Sequence, residues 1–80
     1  MAEGKPILEV DAALAARALE AGLALHPEFA AHAPRVVRVP VFRGTALKVE
    51  YGSAERPEGT AAWDFQNAVI KEYKRLSGER

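Results

Sequence analysis

The chain contains no cysteine, and this absence excludes disulfide bonds, thiolate metal sites and cysteine nucleophiles together. An excess of charge is also lacking, because 11 basic and 11 acidic residues cancel, which argues against a globally basic nucleic-acid binder. No apolar run approaches the length of a bilayer span, and the first residues lack the basic start and apolar core of a signal peptide. We therefore expect a cytoplasmic protein with no membrane partner.

The chain is also short, and its 80 residues predict one small α+β domain, residues 1–80. At about 0.05 to 0.15 kcal/mol per residue, its net stability is about 4 to 12 kcal/mol. Domains of this size usually need disulfides, a metal, very good helix packing or an oligomeric partner. Since disulfides are excluded, we expect a homo-oligomer, a dimer or larger, with another protein as the alternative partner.

Two helices are predicted from capping residues and apolar periodicity. Asp11 is a good N-cap for an alanine- and leucine-rich helix that extends to Leu25. Gly22 inside this helix predicts a close backbone approach or an early helix end. Thr60 is predicted to cap a second helix that ends near Ser77, with Gly78 just after it.

Between these helices the chain predicts a short helical turn over residues 27–33 and a β-hairpin over residues 35–52. Residues 5–10 form a short apolar run with a proline, and we predict an edge strand there. The predicted order is (β)-α-β-β-α: two amphipathic helices packed on a hairpin sheet, which an oligomer interface can extend.

The alternation of apolar and polar residues in the hairpin is compatible with two pairing registers. Both registers turn Val37, Val39 and Val41 toward the helices. A three-residue loop, residues 42–44, pairs Val39 with Leu47 and puts Gly44 at the left-handed position. A loop over residues 43–45 instead pairs Val39 with Val49 and sets Arg38 opposite Glu50. We favour the first register because of its turn chemistry.

The second hairpin face carries Val36, Pro40 and Phe42, and is too apolar to be left in water. We predict that this face, together with Trp63 of the second helix, meets another subunit or a partner protein. Our first functional hypothesis is therefore a small, non-enzymatic protein-interaction module.

A nucleic-acid-binding domain is the alternative hypothesis, because the hairpin is the basic part of a neutral chain. Its cations would contact phosphates while an aromatic ring stacks on a base. The residues predicted for this role are Arg35, Arg38, Phe42, Arg43 and Lys48.

Enzymatic and metal chemistry have little support in the sequence. His26, Glu28 and His32 are the one grouping that resembles metal ligands, but the sequence offers no evident fourth ligand, so we predict no metal and no cofactor. Neither serine has the context of a nucleophile elbow, and we assign no catalytic residue. An enzyme with sites shared between subunits is the third hypothesis.

Overall fold

The computed structural model of the protein describes residues 9–53 and 57–78. The described elements, in chain order, are helix α1 (Ala12–Leu25), a 3₁₀ helix (Pro27–His32), strands β1 (Pro34–Val41) and β2 (Gly44–Tyr51), and helix α2 (Thr60–Ser77). The strands form an antiparallel two-stranded sheet, and the helices pack on one face of it. The predicted α+β fold is thereby confirmed.

The predicted first strand is only partly within the described chain. Residues 5–8 lie outside the described residues, and Glu9 and Val10 have no regular structure. Within residues 9–53 and 57–78 the sheet therefore has two strands.

Helix α1 begins and ends as predicted. The Asp11 carboxylate accepts hydrogen bonds from the backbone amides of Ala13 and Leu14 at 3.0 and 3.1 Å, which satisfies two amides of the first turn. The Asp11 amide itself donates to the hydroxyl of Tyr73 at 2.9 Å, so the N-terminus of α1 is bonded to the last turns of α2.

The close backbone approach predicted at Gly22 is confirmed. This glycine is buried where α1 crosses α2, and a Cβ atom built on it would overlap Cγ2 of Val69 and lie 3.0 Å from Cε1 of Phe65. Only a residue without a side chain lets the two helices approach this closely.

The core is aromatic at its centre. The Phe65 ring is fully buried and stacks on Phe29 of the 3₁₀ helix, with ring centroids 4.7 Å apart, and Tyr51 at the end of β2 lies 6.4 Å from it. Valines from both layers, two alanines of α1 and Tyr73 are also buried, and the described residues leave no polar or charged residue buried there. One apolar core thus joins the helices and the sheet.

Helix α2 has the predicted length but a different N-cap. Gly59, with φ at 92°, precedes the helix, and Thr60 is its first helical residue. At the other end Gly78 follows the helix as predicted, and it adopts the left-handed conformation. In the last turn the Arg75 guanidinium donates two hydrogen bonds to Glu72, three residues earlier, which lowers the pKa of that carboxyl.

The hairpin register differs from both predicted registers. A two-residue loop connects the strands, Val39 pairs with Ala46, and Val36 pairs with Val49. Gly44 still carries a positive φ of 129°, but it lies within the ladder. Arg38 consequently lies opposite Leu47.

The register also exchanges the two faces of β1, so the prediction that Val37, Val39 and Val41 face the helices is wrong. Val36 packs in the core beside Val49, whereas Val37 and Val39 lie half-buried on the outer face and Val41 is exposed. Loop length is the cause, because a two-residue loop places the even-numbered residues of β1 opposite the inward, odd-numbered residues of β2.

Across the outer face the observed cross-strand ion pair joins Arg35 to Glu50, with 3.4 Å between Nη2 and Oε1.

In the part of the chain that the structure describes, no helix combines the length and hydropathy of a membrane span.

We predict that Gly22→Ala destabilises the fold, although alanine is favoured over glycine in a helix by about 1 kcal/mol. The added methyl group overlaps Val69, and overpacking of this kind costs about 1 to 3 kcal/mol. Urea unfolding followed by circular dichroism measures the change. In a Val69→Ala background the same substitution should cost less, because the overlap with Val69 is removed while the close contact with Phe65 remains. An increase in stability in the wild-type background would contradict the close approach.

Candidate interaction surface

The end of the hairpin projects beyond the helices. Residues 40–44 are all exposed, and the deeply buried strand residues, Val36 and Val49, lie toward the other end of the ladder. Phe42 is 91% exposed, and the guanidinium of Arg43 lies 5.5 Å from the centre of its ring. The tip therefore presents an apolar ring with a cation beside it.

The structure separates the four residues predicted for an interface. Val36 belongs to the core at 5% exposure, because the observed register turns it inward, so it is removed from the predicted surface. Pro40 and Phe42 are exposed at the hairpin tip. Trp63 is 64% exposed in the first turns of α2. Two separate exposed regions remain: the tip and the start of α2.

Trp63 forms one wall of a groove of about 450 Å³ between the end of β2 and the start of α2. The groove combines aromatic and apolar walls with one cation and one carboxylate at its rim. Its lining residues are Lys48, Val49, Tyr51, Pro57, Glu58, Gly59, Ala62, Trp63 and Gln66. A second, smaller concavity of about 340 Å³ adjoins it at Lys48 and Tyr51. We refer to the larger one as the β2 groove.

One hydrogen bond in the β2 groove shows which backbone amides of β2 point away from β1. The backbone amide of Val49 donates to Oε1 of Gln66 at 3.2 Å, so this amide points away from β1. Amides alternate in direction along an antiparallel strand. Thr45 and Leu47 therefore also direct their amides away from β1, along the outer edge of β2.

The residues predicted for nucleic-acid contact do not form a single patch. Arg35 pairs with Glu50 on the outer face, while Nε of Arg38, on the inner face, donates to the carbonyl of Glu9 at 3.2 Å. Lys48 lies at the β2 groove, and Arg43 is at the tip with Phe42. The contact between Arg43 and Phe42 joins two residues that are adjacent in the sequence.

The two histidines of the possible metal-ligand grouping contact other side chains of the protein. His26 lies 3.7 Å from the carboxylate of Glu28 and meets the Phe29 ring edge-on, whereas His32 shares a hydrogen bond of 3.1 Å with the hydroxyl of Ser53. Among residues 9–53 and 57–78, no three potential ligands from histidine, cysteine, aspartate and glutamate gather around a common point.

Gln66 and Tyr51 were not predicted as site residues. Gln66 is one of several polar residues of α2, and only the tertiary placement of that helix brings its amide oxygen to the edge of β2. Tyr51 is the last residue of β2, and its place at the β2 groove depends on where α2 begins.

Comparison of the chain with protein-family models, with curated proteins and with solved structures found no match. The tip, the edge of β2 and the β2 groove are the candidate functional features of the described chain.

We predict that Gln66→Ala increases hydrogen exchange at the Val49 amide, because it removes the acceptor of that amide. Loss of one such bond costs about 0.5 to 1.5 kcal/mol of local stability. Amide exchange followed by NMR measures the change, and Asn67→Ala, on the exposed side of α2, is the matched control. Equal Val49 exchange in the two variants would show that Gln66 does not bond this amide in solution.

Proposed function

We propose that this protein is a non-enzymatic protein-interaction module that self-associates through its hairpin. The observation that carries the proposal is the projecting tip, where Val41 and Phe42 are exposed at the end of the ladder, away from the buried strand residues. The Phe42 side chain is 91% exposed, and its burial in an interface would stabilise the association by about 1.5 to 3 kcal/mol.

The size of the described sheet supports a second copy as the partner. An isolated two-stranded hairpin is marginally stable, and three or more strands or helix cover are needed for independent stability. The helices cover the ladder at Val36 and Val49, but residues 40–44 extend past that cover. Association that adds strands or apolar cover at the tip supplies the cover that the described residues do not provide there.

Nucleic-acid binding is the less supported alternative. Binding that depends on phosphate contacts requires several cations on one surface. Here Arg35 is paired with Glu50 and Arg38 is bonded to the Glu9 carbonyl, so two of the four predicted cations have protein partners. Arg43 and Phe42 alone make a small contact site.

The proposal also places the protein in the cytoplasm. A chain without cysteine forms no disulfide bond, so its stability does not depend on an oxidising compartment.

We expect the wild-type protein to be at least dimeric at micromolar concentration, and Phe42→Glu to shift it toward monomer. A carboxylate at the tip opposes burial, and the stability of the fold falls with it because folding and association are coupled. Multi-angle light scattering and thermal unfolding measure the two effects.

Arg17→Glu is the control for this substitution, because Arg17 is an exposed residue of α1 and its replacement should leave assembly unchanged. A wild type that remains monomeric at about a hundred micromolar, well above the Kd of stable associations, contradicts self-association. Submicromolar binding of single-stranded nucleic acid at physiological salt, lost in Phe42→Glu and weakened by added salt, would instead favour the alternative.

A further inference from the structure

The two edges of the sheet differ in their capacity to pair with another strand. Because the Val49 amide points away from β1, the Val36 amide opposite it points away from β2, and so do those of positions 34, 38 and 40. Pro34 and Pro40 occupy two of these four outward positions and have no amide hydrogen. The outer edge of β1 is thus interrupted at both ends.

The outer edge of β2 has no proline and retains its donors. Of the outward amides at Thr45, Leu47 and Val49, only that of Val49 has an acceptor among the described residues, namely Gln66. The segment from Thr45 to Leu47 lies toward the tip, where the hairpin extends beyond its buried end. A partner strand can therefore reach this segment without displacing the Gln66 bond.

From these features we infer that two copies of the chain pair antiparallel through β2, with Thr45 of each copy opposite Leu47 of the other. This inference rests on the proposed self-association and specifies its geometry. The register uses both open amides and both carbonyls of each copy, which gives four hydrogen bonds between the chains. Ala46 of each copy then lies on the two-fold axis, as a pair without hydrogen bonds.

The same register keeps each face of the sheet continuous between the two copies. Thr45 and Leu47 share the inner face with Val49, so opposing them places the helices of both copies on one side of a four-stranded sheet. Lys48 lies opposite Gly44 of the second copy, so like charges do not oppose each other. Four strands under a layer of helices exceed the number needed for independent stability.

The same register brings the turn of one copy near the β2 groove of the other. The pairing ends at Gly44 of the second copy, and its turn residues Phe42 and Arg43 follow there. At the groove, the carboxylate of Glu58 complements an incoming guanidinium, and the exposed ring of Trp63 lies in the groove wall. Each groove thus lies next to the turn of the other copy.

A cysteine at position 46 tests the register directly, because the chain has no cysteine of its own. Cα atoms of directly opposed residues without hydrogen bonds are about 4.5 Å apart, within the range of a disulfide. Ala46→Cys should therefore form a covalent dimer under glutathione oxidation, measured by non-reducing electrophoresis. The matched control is Lys48→Cys on the same strand and face, whose two copies are separated by about 13 Å along the strands.

A second variant tests the hydrogen bonds without a cysteine. Thr45→Pro leaves the ladder with β1 intact, because the Thr45 amide points outward and Pro40 already occupies the opposite position. It removes two of the four bonds between the copies and should raise the dimer dissociation constant by about tenfold or more, whereas Thr45→Val should not. Circular dichroism confirms that both variants are folded.

The outcomes separate this inference from the proposed function. A dimeric wild type with rapid crosslinking at position 46, little at position 48 and weakened association in Thr45→Pro supports pairing through β2. A dimeric wild type in which the two cysteine variants crosslink equally, or in which Thr45→Pro associates normally, overturns the pairing and leaves self-association standing. A monomeric wild type overturns both.

Discussion

The stacking of Phe65 on Phe29 is the contact around which the described elements are arranged. The fully buried Phe65 ring belongs to α2, meets the 3₁₀ helix at Phe29, lies near Tyr51 of β2 and limits the space at Gly22 of α1. Strand β1 joins this arrangement through Val36 and the ladder. Because one side chain contacts so many elements, the core of the small domain stays close to a single centre and cannot extend along the full hairpin.

This central core divides the hairpin into two halves with different surroundings. Val36 and Val49 belong to the half that the helices cover, while Pro40 and Phe42 belong to the half that they do not. Among the described residues, no helix or strand covers the second half. The proposed self-association uses this exposed apolar tip.

Local signals in the sequence were sufficient for the helices, except for the N-cap of α2, and insufficient for the hairpin. Asp11, Gly22 and Gly78 have the roles predicted for them, because capping, close packing and helix termination depend on one residue and its neighbours. The register depends on the difference between a two- and a three-residue loop, and Gly44 is compatible with both. That difference of one residue moved Val36 from the predicted surface to the core. Gln66 could not be predicted because its bond joins elements that are distant in sequence.

Pro34 and Pro40 also limit how many edges of the sheet can pair with another molecule. A strand pair with two usable edges has two binding sites per molecule, and head-to-tail pairing of such units grows into open fibres. Among the described residues, both prolines lie on outward positions of β1, and the edge along β2 is free of proline. If pairing uses the β2 edge alone, as proposed, each molecule is monovalent and the sheet is complete when two molecules have joined. In the proposed dimer, replacement of these prolines would open the second edge to pairing and allow the assembly to polymerise.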